Sequence, residues 1–157
     1  MQKQIISLSV AVIVWAVMLP LMAVQKATGG LTPPWRPLFL VVLGAVLVVI
    51  GCWLVWAAAG QLAAAGISPF AAHPGPVLLT DGIYGRVRNP MDLGNLLMAL
   101  GPAIAVDVTV VWIVPVAAFL YYAGAQEPLE NYLLRQQYGE KFDDYKRRVP
   151  VWTPLWR

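Results

Sequence analysis

Apolar residues run almost unbroken through 5–24 and again through 37–59, and the second run continues in Ala- and Leu-rich sequence toward Ala65. Neither run shows the alternation of a half-buried strand or the single stripe of a surface helix. Each is apolar all round and reaches the ~20 residues that a membrane-spanning helix needs. Two further runs, 93–106 and 108–125, are divided by Asp107. At about 1.5 Å per residue the first of these reaches only about 21 Å, short of the ~30 Å hydrocarbon core. It predicts a helix that starts below the surface, or one arm of a tilted hairpin. Pro102 and Pro115 are expected to kink the two arms, while Gly94 and Gly101 permit close helix approach. A Gly- and Pro-punctuated loop, 66–76, separates the second run from the third. Beyond 125 the pattern changes. Leu129, Leu133, Leu134, Tyr138, Phe142 and Tyr145 recur at helical intervals among charged residues. This predicts an amphipathic helix, bent at Gly139 and closed by Val149-Pro150 and Pro154.

Composition agrees with the patterning. The chain is 59% hydrophobic and only 12% charged, against roughly 45–50% apolar residues in a soluble domain. The expected fold is an all-α integral membrane protein in one domain. It has about four transmembrane helices, the last two a short hairpin, followed by a cytoplasmic amphipathic C-terminal helix. Residues 1–65 hold the two N-terminal spans, 66–92 a cytoplasmic loop, 93–125 the hairpin, and 126–157 the C-terminal helix and a membrane anchor. Four spans place both termini and the 66–92 loop on one side. That side carries Lys3, Arg86, Arg88, Arg135, Lys141, Lys146, Arg147, Arg148 and Arg157, and the other only Lys26 and Arg36. Basic loops stay in the cytoplasm, so both termini are expected there, with the protein in a bacterial inner membrane.

Charge and reactive side chains then exclude several functions. The net charge of +3 is spread over membrane edges and does not indicate a nucleic-acid partner. Lys146-Arg147-Arg148 with Trp152 and Trp156 reads as an interfacial anchor to the bilayer. A lone cysteine, Cys52, excludes an internal disulfide, and a lone histidine, His73, excludes a multi-histidine metal site. No metal is expected.

The richest chemistry lies in Asp81-Gly-Ile-Tyr-Gly-Arg-Val-Arg-Asn-Pro-Met-Asp-Leu-Gly94. Asn89 is a good N-cap, Pro90 suits the first helical position, and Asp92 falls in the first turn. A helix starting here turns its positive dipole end toward Arg86 and Arg88, a setting for an anionic group. In the tail, Glu127 and Asn131 share a helix face and Glu130 sits one step round. A dipole-favoured, solvated carboxylate is the plainer role for Glu130.

Together these two regions resemble the isoprenylcysteine carboxyl methyltransferase family and its relatives among the phospholipid methyltransferases. The residues that carry the resemblance are Leu78-Leu79 and Gly82-Ile83-Tyr84, then Arg88-Asn89-Pro90-Met91-Asp92-Leu93-Gly94. After the hairpin they are Glu130-Asn131-Tyr132-Leu133-Leu134, Tyr138-Gly139, Phe142, Tyr145 and Val149-Pro150. The resemblance implies methyl transfer from S-adenosylmethionine (AdoMet) to a lipophilic acceptor at the cytoplasmic membrane face. It places the cofactor against Leu78, Leu79, Tyr84, Asn89, Pro90, Met91 and Glu130, with Glu130 pairing the cofactor's ammonium group. Arg88 and Gln126 stand at the substrate side.

The chain departs from the family pattern at four positions. Asn89 and Pro76 replace histidines of the eukaryotic enzymes, and Asp92 stands where a tyrosine is usual. Gln126 replaces the arginine that holds a substrate carboxylate, and a neutral amide cannot pair a carboxylate with charge. Arg86 or Arg88 is left for that task. Two other classes compete with the methyltransferase: a non-catalytic membrane protein that retains the family shell, and an NADPH-dependent membrane reductase. Cofactor binding separates the three.

Overall fold

The computed structural model describes residues 15–17, 19–20, 23–24, 27, 37–68, 75–106 and 109–152. The expected first span at 5–24 lies largely outside them, as do Lys3, Lys26, Arg36, His73, Asp107, Pro154, Trp156 and Arg157. The described residues are all-helical. They form α1 (Leu38–Ala64), α2 (Pro90–Val106), a 3-10 turn (Thr109–Trp112) and α3 (Ile113–Tyr121). A π-helical turn (Tyr122–Gln126), α4 (Glu127–Tyr138) and α5 (Glu140–Arg148) follow.

Helix α1 has 27 residues, a length of about 40 Å. Among the described residues it is the one helix long and apolar enough to cross a membrane. Leu38, Phe39, Val49 and Trp56 stand exposed on it, while Gly44, Gly51, Leu54 and Ala58 form a buried stripe. That stripe meets α2 glycine to glycine. A Cβ on Gly44 would lie 2.4 Å from the Gly101 carbonyl oxygen, and one on Gly51 would lie 2.5 Å from that of Gly94. The pairing is antiparallel, and each helix repeats its glycine after seven residues, so the two backbones approach along one seam. Apolar attraction between helices is weak in lipid, and such close backbone packing is what holds them together.

Helix α2 begins at Pro90, where a missing N–H costs nothing, and Pro90 is fully buried. The helix has 17 residues, about 26 Å, and stays below full membrane thickness. Its other face carries Ala99 and Ala103 into a core with Val111, Val114, Ala118 and Tyr122.

The fourth apolar run is less regular than the pattern predicts. A kink was expected at Pro115, but the chain enters through the 3-10 turn, and Pro115 is the third residue of α3. In a first turn the proline removes no intrahelical hydrogen bond. The irregularity falls later, at the π turn, which runs directly into α4 with no break between 125 and 126. Pro128, near the start of α4, cannot donate to the Gly124 carbonyl and would clash with it, so the helix widens over the preceding turn. Trp152, expected at the membrane interface, is half-buried and also makes ring contacts within the fold. Its ring packs against Phe119 and Tyr122, with centroids 5.9 and 6.1 Å away.

Gly139 separates α4 from α5 with φ +56°, a left-handed conformation that favours glycine. α5 then folds under the 75–89 loop. Phe142, Tyr145 and Val149 form a second small core, with Leu78, Leu134 and Tyr138 packed on it.

Candidate functional site

Three devices hold the 75–92 segment in place. From α1, Gln61 donates to the Asp81 carbonyl (2.9 Å) and carboxylate (3.1 Å) and accepts from the Ile83 amide (3.1 Å). From the tail, Tyr145 donates its hydroxyl to the Tyr84 carbonyl at 2.7 Å, and Tyr138 and Gln137 both donate to the Gly75 carbonyl. Finally, the Arg88 and Asn89 amides donate to the Pro150 and Val151 carbonyls at 2.9 and 3.4 Å. The closing Val149-Pro150 ends the helix, and Pro150 with the following Val151 presents the carbonyl acceptors. Removing one hydroxyl measures its share. Tyr145→Phe, which removes the bond to the Tyr84 carbonyl, should loosen the loop by about 1 kcal/mol, seen as roughly five-fold faster hydrogen exchange of the amides at 84–89. Unchanged exchange would mean that packing alone holds the loop.

The strapped segment meets α4 in a polar cluster. The Arg88 side chain is 8% exposed; it donates to Asn131 Oδ1 at 3.0 Å and lies 3.6 Å from Glu127. Asn131 in turn donates to Glu127 Oε1 at 2.5 Å. Asn89 donates its side-chain amide to Glu130 Oε2 at 3.2 Å, joining the start of α2 to the start of α4. Asp92 is buried, at 4% exposure, and both its carboxylate oxygens accept from Gln126 Nε2, at 3.0 and 2.9 Å. Among the described residues, two buried polar atoms here have no hydrogen-bond partner: Arg88 Nε and Gln126 Oε1. Buried polar atoms are seldom left without a partner.

The electrostatics agree with this crowding. Burial pushes the Tyr84 phenol well above its ordinary range, and the Glu130 carboxylate adds to the shift. Burial likewise raises Tyr145, against the opposing pull of Arg88. Burial lowers the Arg88 guanidinium, while Glu127 and Glu130 favour its charged form. Tyr84 and Tyr145 are thus neutral hydrogen-bonding groups at neutral pH.

The site residues expected from the sequence fall into two groups. Arg88, Asn89, Gln126 and Glu130 come together, with Tyr84 close enough to feel Glu130. Leu78 serves the tail core, Leu79 and Met91 are half-buried, and Pro90 is buried beneath the helix start. The sequence reading did not foresee Gln61 as the loop tether, the pairing of Asp92 with Gln126, or the Glu127–Asn131 brace on Arg88. Gln61 had a visible signal, being the one amide side chain in an otherwise apolar helix. The Asp92–Gln126 pair had a subtler one, since both residues depart from the family pattern.

A carboxylate, a helix N-terminus and a buried arginine donor within one cluster suit a zwitterionic ligand, ammonium to Glu130 and carboxylate to the Arg88 side. The comparison with known families bears on this geometry. The family model described as phospholipid methyltransferase matches residues 39–141, from the start of α1 into α5. The match reaches further toward the N-terminus than the residues that carry the resemblance, the first of which is Leu78, and takes in the helix whose glycines and Gln61 position the loop. No solved structure matches the chain. With about two thirds of its residues under that model, the chain belongs to the phospholipid methyltransferase family, within the integral membrane methyltransferases.

Proposed function

We propose that the protein transfers a methyl group from AdoMet to a lipophilic acceptor at the membrane surface. The observation that carries this reading is the Asn89–Glu130 contact, which sets a carboxylate at the start of α2 beside a buried, partly unsatisfied Arg88. In the proposal Glu130 holds the cofactor's ammonium group, while Arg88 Nε and the α2 N-terminus hold its carboxylate. Leu78, Leu79, Tyr84, Asn89, Pro90 and Met91 complete that side of the site. When bound, AdoMet supplies an electrophilic methyl group on a sulfonium. The chain's own contribution is to position an acceptor and keep water out. Alignment of two reactants can supply about 7–11 kcal/mol of a barrier.

Family membership supports a membrane methyltransferase over the reductase, and it supports a lipid as the acceptor. The proposed arrangement in the bilayer is four spans with both termini in the cytoplasm and the site at the cytoplasmic face. The Asp92–Gln126 pair argues further about the acceptor. The Asp92 carboxyl group already takes the Gln126 amide N–H groups and leaves them no donor for an acceptor carboxylate, whereas Gln126 Oε1 lacks the partner that an N–H or O–H group would supply. The site therefore suits a neutral or cationic acceptor better than an isoprenylcysteine-like carboxylate.

A mutant pair tests this. Gln126→Arg alone should gain no activity on carboxylate lipids, because the new guanidinium pairs with Asp92. Asp92→Asn combined with Gln126→Arg frees that charge and should raise carboxylate methylation about ten-fold or more, the worth of one charge-assisted contact. If the single mutant gains as much as the double, Asp92 does not face the acceptor.

A further inference from the structure

The π turn at Tyr122–Gln126 decides which side of α4 meets the rest of the fold. Upstream of it, Val111, Val114, Ala118 and Tyr122 recur at α-helical spacing and share a buried core with Ala99 and Ala103 of α2. An α-helix turns about 100° per residue. Continued without a break, that face would pass through Ala125, Leu129, Tyr132 and Gln136. All four are exposed instead, Leu129 at 46% and Tyr132 at 60%. The inward face lies about one residue further on. Glu127 and Asn131 hold Arg88, Glu130 accepts from Asn89, and Leu134 and Tyr138 pack on the tail core. A π turn supplies an offset of this size, because its hydrogen bonds reach back five residues rather than four. Here the Glu127 amide donates to the Tyr122 carbonyl.

The cause of the offset is the next residue. Pro128 has no N–H for the Gly124 carbonyl, and in a regular helix its ring collides with that carbonyl. Crowding does not force the turn at Gly124, where a Cβ would meet nothing within 4 Å. Without the offset, α4 would present Leu129 and Tyr132 to Arg88 and Asn89, and its carboxylates would point away. We propose that Pro128 is a positioning residue for the cofactor site: by holding the widened turn, it sets Glu127, Glu130 and Asn131 against Arg88 and Asn89. The link to the cofactor rests on the reading of Glu130 as partner of the AdoMet ammonium group, whereas the facing of α4 does not.

Two readouts on the full-length protein in detergent test this, one of them independent of AdoMet. In a Cys52→Ala background, a short bis-methanethiosulfonate should join Asn89→Cys to Glu130→Cys and not to Leu129→Cys. Adding Pro128→Ala should transfer most of the linkage to the pair with Leu129→Cys. Deleting Ala125 as well removes the extra residue, leaves a regular helix with the original facing, and should return the linkage to Glu130→Cys. With the native residues at 52, 89, 129 and 130, Pro128→Ala should bind AdoMet about ten-fold more weakly, the scale of one charge-assisted contact. Deletion of Ala125 in that variant should restore most of the affinity, a rescue that a role in stability alone does not predict. A linkage pattern unchanged by Pro128→Ala would overturn the proposal. So would a shifted pattern with unchanged AdoMet affinity, or a deletion that deepens the loss. Absence of AdoMet binding in wild type would overturn the proposed function, and a shifted linkage in that case would still uphold Pro128 as the residue that sets the facing of α4.

Discussion

Glu130→Ala should bind AdoMet roughly 10- to 100-fold more weakly than wild type while remaining folded, because a charge-assisted contact to an ammonium group is worth about 1.5–3 kcal/mol. The expectation of intact folding comes from the contacts that remain. Glu130 is half-buried and accepts from Asn89, but the strap from Pro150 and Val151 and the pair of Arg88 with Asn131 do not pass through it. Equilibrium dialysis with AdoMet, alongside thermal melting in detergent, separates the two effects. Glu130→Gln keeps the acceptor for Asn89 but loses the charge, and it should recover only part of the affinity. Unchanged binding in Glu130→Ala would reduce this residue to a carboxylate favoured by the dipole of α4.

The largest structural effect is expected from a single methyl group. Gly44→Ala places a Cβ 2.4 Å from the Gly101 carbonyl oxygen and 2.9 Å from the Ala105 Cβ. Neither neighbour is the end of a flexible side chain, so the helices must separate. Overpacking of this kind costs about 1–3 kcal/mol, and more where backbone opposes backbone. Separation of α1 from α2 also draws Gln61 away from the loop it clamps, so cofactor binding should weaken together with stability. Gly60→Ala is the matched control in the same helix, since nothing lies within 4 Å of its Cβ. It should gain up to about 1 kcal/mol from helix propensity. Equal melting temperatures for the two variants would show that the glycine seam does not hold the helices.

Some of this organisation was legible because it depends on local pattern. The uninterrupted apolar run predicts α1, and Asn89-Pro90 marks the start of α2, since both signals lie within a few residues of the feature they report. Gly94 and Gly101 were visible as small residues, but their partners Gly44 and Gly51 emerge only once the antiparallel register is known. The irregular fourth run misled the sequence reading for a related reason. Pro115 is the conspicuous helix breaker, yet it sits harmlessly in a first turn, and Pro128 disturbs the helix one turn earlier than its own position. At the site, Arg88, Asn89, Gln126 and Glu130 were each recognisable by type and spacing. Their partners were not, because contacts such as Arg88 with Asn131 and Asp92 with Gln126 span 43 and 34 residues of chain. Asp92 shows the limit most plainly. By sequence it is a first-turn residue standing where a tyrosine is usual, and in the fold it is the group that engages Gln126.

Calorimetric titration of the purified wild-type protein with AdoMet, and separately with NADPH, tests the central claim most directly. The proposed function predicts saturable one-site binding of AdoMet at micromolar concentration and no heat from NADPH. Absence of AdoMet binding in protein that melts cooperatively would contradict it and leave a membrane protein that keeps the family fold without its chemistry.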